Sequence, residues 1–169
     1  MREVYFIRHG SVDNPQGIKY GRMEGFPLSG RGVKEAGETA RFLGGRGIEI
    51  IYHSPLERCR QTASIINRAL GVNLVESGEI NEWDENESLR DVQSRMNTFW
   101  MTLYAQSHEI IAVVSHRDPL RALMLGFTGS SLSDIYKPEV LPLPPGGVWL
   151  VKPGMGKTTH DSIFTPVIE

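Results

Sequence analysis

Three short apolar runs, at residues 3–8, 48–53 and 109–115, are separated by stretches of helical period, and no other feature restricts the chain as much. Val4, Tyr5, Phe6 and Ile7 are consecutive, without the polar alternation of a half-exposed strand. Such a run reads as a strand buried on both faces, and strands of that kind are joined by helical crossovers. The expected fold class is therefore α/β: a three-layer α/β/α arrangement with a mainly parallel central sheet and right-handed crossovers.

The segments between the runs supply the helices. A polar loop over 11–27 leads to Ser29, an expected N-cap, after which Val33, Ala36, Ala40 and Leu43 share one face and Gly44-Gly45 stops the helix. Ser54-Pro55-Leu56-Glu57 has the serine, proline and glutamate of a capping box, so a helix is expected from there to Leu70, closed by Gly71 in the left-handed conformation. A short strand over 72–75 follows. Leu89, Val92, Met96, Phe99 and Leu103 recur at spacings of three and four and predict a helix over 88–106, with Trp100 at the edge of its core face. Another helix is expected from Pro119 to near Gly126, and residues 147–151 and 163–168 read as paired strands near the sheet edge.

A chain of 169 residues with 40% apolar content suits one domain, residues 1–169. Eighteen basic residues against twenty acidic ones give a net charge of −2, so no bulk positive field exists for nucleic acid or an anionic membrane, and neither is an expected partner. No apolar run approaches the roughly 20 residues needed to cross a bilayer, and the start MREVYFIRHG enters a strand-like segment directly, so a soluble, cytoplasmic protein is expected. The single cysteine, Cys59, fits a reducing compartment. Residues 154–159 resemble a nucleotide-binding loop superficially, but Val151 stands where its first glycine belongs, and a turn between strands is the better reading. No Cys pair or His-x-x-x-His spacing exists, so neither a metal nor a cofactor is expected.

The expected strand ends carry unusual chemistry: Arg8-His9 on the first, His53-Ser54 with Arg58 just beyond on the second, and Ser115-His116-Arg117 on the third. In an α/β sheet the ligand crevice lies off those carboxyl ends. Two histidines, several arginines, and Glu79 or Glu82 from the intervening loop would converge there. The set suits phosphoryl transfer: arginine forks hold the equatorial oxygens, a neutral imidazole attacks phosphorus, and a carboxyl group moves the proton.

These residues also carry a resemblance. Arg8-His9-Gly10, the segment Gly21-Arg22-Met23-Glu24-Gly25-Phe26-Pro27-Leu28-Ser29, the block from Ser54 to Ala63, and Val113-Val114-Ser115-His116 are similar, in order, to the histidine phosphatase superfamily, also called phosphoglycerate-mutase-like. The resemblance implies His9 as nucleophile, Arg8, Arg58 and His116 as the phosphate pocket, and Glu82, in Ile80-Asn81-Glu82, as proton donor, with Glu79 a near competitor. Asn14 is a further candidate phosphate contact. Arg117 stands where the family commonly has glycine, as either a rim cation or a solvated side chain. His53 is expected to pack or to make a supporting hydrogen bond.

The implied activity is metal-independent phosphomonoester hydrolysis through a phosphohistidine, on a small phosphorylated substrate. The alternative is a phosphoglycerate mutase using the same phosphohistidine; a third reading is an idle phospho-ligand-binding module. Residues 83–87 run directly into the next helix, leaving no room for the insertion with which mutases clamp a carboxylate, and this favours the hydrolase. The loops 11–27, 79–88 and 130–145 are expected to line the mouth, and oligomeric state is open.

Overall fold

The computed structural model describes residues 3–137, 139–154 and 158–168. The elements run β1 (Glu3–Arg8), α1 (Gly30–Leu43), β2 (Ile50–His53), α2 (Glu57–Leu70), β3 (Asn73–Glu76), a short 3-10 turn (Gly78–Ile80), α3 (Leu89–Tyr104), β4 (Ile110–Ser115), α4 (Arg117–Thr128), a second 3-10 turn (Leu132–Tyr136), β5 (Val148–Lys152) and β6 (Thr159–Phe164). They form one six-stranded sheet of order β3-β2-β4-β1-β5-β6. The first four strands of that order are parallel, and β5 and β6 add an antiparallel edge.

Alternate residues of each central strand feed two cores, as a strand buried on both faces requires. Val4, Phe6, Ile111 and Val113 join the face covered by α3 and α4, where Met96, Phe99, Leu103 and Leu123 are buried. Tyr5, Ile7, Ala112 and Val114 join the face covered by α1 and α2, with Leu43, Cys59 and Ile66. These are the three expected layers. Trp100, expected at the core edge, is buried at 6% exposure and packs edge-on against Phe127.

Several local expectations are corrected. Val33 is 48% exposed and lies off the buried face of α1, which consists of Gly32, Glu35, Ala36, Thr39, Ala40 and Leu43 and so keeps the other three expected core residues. The last strand lies at Thr159–Phe164 rather than 163–168, in register with β5. Helix α4 starts at Arg117, before Pro119, because proline is tolerated in a first turn whose N–H groups have no partners in the helix. Of the expected turn at 154–159, residues 155–157 lie outside the described residues.

The largest correction concerns Ser54. Helix α2 begins at Glu57 with Leu56 as N-cap and no side-chain cap, so the expected capping box does not form. Ser54 is fully buried, and its hydroxyl lies 2.7 Å from Nε2 of His116. A buried imidazole N–H without a partner costs about 1–3 kcal/mol, at least as much as the ~1 kcal/mol a serine cap contributes, so the tertiary partner wins.

Candidate active site

Because β4 lies between β2 and β1, the chain places the ends of those three strands side by side. Each end is tied to the next: the His9 amide donates to the Ser115 carbonyl (3.0 Å) and the Ser54 amide to the Val114 carbonyl (3.0 Å). Beyond His9 the chain turns where α1 begins. A Cβ on Gly10 would sit 2.5 Å from the Gly32 carbonyl oxygen, and one on Gly32 would overlap the Ser11 carbonyl, so this crossing admits two glycines only. Glu35, buried in α1, accepts from the Ser11 amide (2.7 Å) and hydroxyl (3.0 Å), and Thr62 of α2 accepts from the Gly10 amide (3.2 Å). His9 is therefore held from both helices of that face.

The side-chain geometry fixes proton positions. His9 Nδ1 lies 2.8 Å from the Gly10 carbonyl oxygen, which can only accept, so Nδ1 carries the hydrogen and Nε2 bears the lone pair. Burial, together with the charges on Arg8 and Arg58, pushes the His9 pKa down to about 3, so the ring is neutral. The His116 ring lies 5.2 Å away at 65° and is likewise held neutral, first by burial and then by His9 and Arg58. Arg58 Nε donates to His116 Nδ1 (3.3 Å), which leaves Nε2 as the N–H that donates to Ser54; the Ser54 hydroxyl in turn faces Asn81 Oδ1 at 3.3 Å.

Two arginines supply charge. Arg58 is buried at 1% exposure, donates to the Gly21 carbonyl (2.7 Å), and has its guanidinium carbon 4.8 Å from the Tyr20 ring centre. Arg8 donates to the Leu143 carbonyl (2.9 Å) and keeps Nε buried with no partner among the described residues. Glu82 faces them. Its Oε1 accepts from the Trp83 amide (2.9 Å), while Oε2 lies 3.5 Å from His116 Nδ1 and 3.9 Å from Arg58 Nη2. Burial raises its pKa to about 7; the Trp83 amide pulls the other way, Asp118 adds to the rise, and Arg58 and Arg8 offset part of it. The carboxyl group can thus be either acid or base at neutral pH.

A cavity of about 880 Å³ opens above these groups, its walls drawn from Arg8-His9, residues 19–23, residues 82–85 and Arg117-Asp118. Glu79, the competitor of Glu82, lies outside it, its carboxylate facing the Ser77 hydroxyl (3.3 Å). Asn14 is also outside; both ends of its amide bond the Ile18 backbone, at 2.9 and 3.1 Å. Arg117 stands at the rim, half-exposed, in a 2.7 Å pair with Asp118. No described residue of 130–145 lines the mouth; the stretch contributes the Leu143 carbonyl that holds Arg8. His53 is buried, with Nδ1 3.0 Å from the Ser54 carbonyl. His9, Glu82 and His116 have ligand atoms within 4.8 Å of one another, a set that could approach a metal ion, but Arg58 already occupies the Nδ1 lone pair of His116 and sets a positive charge beside it.

With this geometry in place, comparison with known proteins is direct. The sequence pattern of the histidine phosphatase superfamily (branch 1) matches residues 4–86 and 84–162. The chain belongs to the histidine phosphatase superfamily. The uncharacterized protein Rv0525 of Mycobacterium tuberculosis is 32% identical over 77% of this chain and 80% of its own length. The uncharacterized phosphatase PhoE of Bacillus subtilis is 35% identical over 52% of this chain and 46% of its own. The phosphoserine phosphatase of Entamoeba histolytica, solved as an H9A mutant with phosphoserine, superposes with a TM-score of 0.83 over 96% of both chains at 20% identity, a likeness of fold. Relatives named phosphatase and relatives named phosphoglycerate mutase both match this chain.

Ser54, Glu35, Tyr20 and Gly21 are parts of the site that the sequence does not assign. Only Ser54 and Gly21 sit inside motifs that could signal them.

Proposed function

We propose that the protein hydrolyses a small phosphate monoester through a phosphohistidine at Nε2 of His9, without a metal ion. The observation that carries this reading is the His9 Nδ1–Gly10 carbonyl contact, which turns the lone pair of a neutral imidazole away from the backbone, with the Glu82 carboxyl in the same cavity. Arg8, Arg58 and His116 take the phosphoryl oxygens. His9 Nε2 forms a bond to phosphorus as the ester P–O bond breaks, and the Glu82 Oε2 proton passes to the departing alkoxide. Water then attacks phosphorus, Glu82 takes its proton, the N–P bond breaks and phosphate leaves.

Ser54 lets His116 change role during this sequence. When a phosphoryl oxygen takes the Arg58 Nε–H, His116 can carry its proton on Nδ1 and donate to that oxygen, while the Ser54 hydroxyl rotates from Asn81 to donate to Nε2. The switch moves the single ring proton from Nε2 to Nδ1, one proton leaving and one arriving through water that enters with the substrate, and the hydroxyl rotation fills the lone pair this leaves on Nε2.

Hydrolysis is favoured over mutase chemistry by the mouth. Arg22 is paired with Glu87 and Asp84, and Arg117 with Asp118, so neither offers a free guanidinium to the carboxylate of a glycerate. No described helix is long and apolar enough to cross a membrane, and the buried free thiol of Cys59 supports a cytoplasmic location. The reading is tested by assaying p-nitrophenyl phosphate and 3-phosphoglycerate in chelator, following phosphate and 2-phosphoglycerate separately. Phosphate release that persists in chelator and vanishes in His9→Ala supports it; dependence on an added divalent ion, or isomer forming faster than phosphate, overturns it.

A further inference from the structure

Glu82 sits in a stretch, 81–87, that belongs to no helix or strand, yet it is gripped from two sides. Arg22 Nε donates to the Glu82 carbonyl oxygen at 2.6 Å and Arg95 Nη2 donates to the same oxygen at 3.0 Å. The Glu87 carboxylate joins the two guanidinium groups: Arg22 Nη2 lies 2.8 Å from Oε2 and Arg95 Nε 2.7 Å from Oε1. Arg95 Nη1 also holds the Glu79 and Asn81 carbonyls, at 2.7 and 2.8 Å. Arg95 comes from α3 and is mostly buried, whereas Arg22 comes from the loop after β1 and lines the cavity.

The residues just before Arg22 hold the other half of the site. The Gly21 carbonyl accepts from Arg58 Nη2 (2.7 Å), and the Tyr20 ring lies against the Arg58 guanidinium. Three consecutive residues therefore touch both the arginine that would take the phosphoryl oxygens and the backbone of the carboxyl that would protonate the leaving group. Proton transfer demands placement within a few tenths of an ångström, and the loop bearing Glu82 has no regular structure of its own to supply it.

We propose that Tyr20-Gly21-Arg22 is a strap that fixes the Glu82 carboxyl relative to Arg58, and that Arg22, acting with Glu87, is a positioning residue for the proton transfer to the leaving group. This rests on the reading of Glu82 as proton donor. Arg22 touches no reacting atom; its effect passes through the Glu82 backbone and falls selectively on substrates whose leaving group needs a proton.

The test compares Arg22→Met and Glu87→Gln with the wild type on β-glycerophosphate, an alkyl ester, and on p-nitrophenyl phosphate, whose leaving group departs unaided. The expected loss in kcat on the alkyl ester exceeds that on the aryl ester by about tenfold or more, Arg22→Lys recovers part of it, and Arg22→Met adds nothing to Glu82→Gln. A loss equal on both esters, or a double variant much slower than Glu82→Gln alone, overturns the proposal. A second readout is independent of turnover: carbon-13 titration of the Glu82 carboxyl in labelled protein. Its midpoint should fall by about one pH unit or more in Arg22→Met as water enters the loosened loop, and an unchanged midpoint overturns the proposal. A wild type that hydrolyses neither ester counts against the hydrolase reading, and the titration then decides the strap by itself.

Discussion

Oε2 of Glu82 lies 3.5 Å from Nδ1 of His116, and burial works against the charged form of both groups, raising the Glu82 pKa to about 7 and holding His116 neutral. A carboxyl group that titrates near 7 in this cavity supports the proposed role of proton donor to a departing oxygen. Replacing it should therefore expose the leaving group. Glu82→Gln is expected to lower kcat on an alkyl phosphate by about 10²–10³-fold and on p-nitrophenyl phosphate by much less. Equal losses on the two would count against the acid role.

The same carboxyl sets a pH dependence. Its pKa of about 7 is raised above that of an ordinary glutamate, so the protonated, donating form is lost as pH rises through 7. The kcat/KM for an alkyl ester should fall across that range, and the falling limb should be absent in Glu82→Gln. A rate profile for the wild type that stays flat from pH 6 to 8 would contradict this.

His9 makes the opposite prediction for stability. Its folded pKa of about 3 lies below the unfolded value of 6.5, so the unfolded chain binds the extra proton between them. The stability from the neutral ring is present above pH 6.5 and lost as pH falls toward 3, on the order of a few kcal/mol in all. In denaturant titrations at pH 7.5 and 5, His9→Asn should lose less stability than the wild type on acidification. An identical loss would remove His9 as its source.

Ser54→Ala separates a helix cap from an active-site role. If the hydroxyl supports the His116 tautomer, the variant keeps the helical circular dichroism of the wild type but loses about tenfold or more in kcat. An unaltered kcat with reduced helicity would restore the capping reading.

Gly10→Ala tests the packing that holds His9. The added methyl meets the Gly32 carbonyl oxygen at 2.5 Å, so destabilisation of about 1–3 kcal/mol is expected, with turnover lost even in the molecules that fold. Full stability and activity in Gly10→Ala would show that the crossing has room to spare.

What is legible in the sequence follows a physical pattern. The strand runs are fixed by local burial, and because parallel strands align their ends, the pattern of runs alone brings Arg8-His9, Ser54 and Ser115-His116 together. Glu82 is not separable from Glu79 by sequence, since only the 3-10 turn at Gly78–Ile80 and the Arg95 contacts decide which carboxylate faces inward. Ser54 misleads because a capping-box pattern is local, whereas its partner His116 is 62 residues away. Asn14 looks available because loop closure by its own side chain leaves no pattern in the sequence. Val33 lies off the otherwise expected buried face of α1, and the final strand lies a few residues from its expected place, where short weakly apolar segments take their register from neighbours.

The central claim is covalent: phosphorus is bonded to His9 during turnover. Rapid quench of the enzyme with a phosphorus-32-labelled monoester, followed by digestion and mass spectrometry, tests it most directly. The account predicts an acid-labile, alkali-stable phosphoryl group on the peptide containing His9, formed before free phosphate and absent from His9→Ala. Turnover without any label on that peptide, or label retained in His9→Ala, would contradict it.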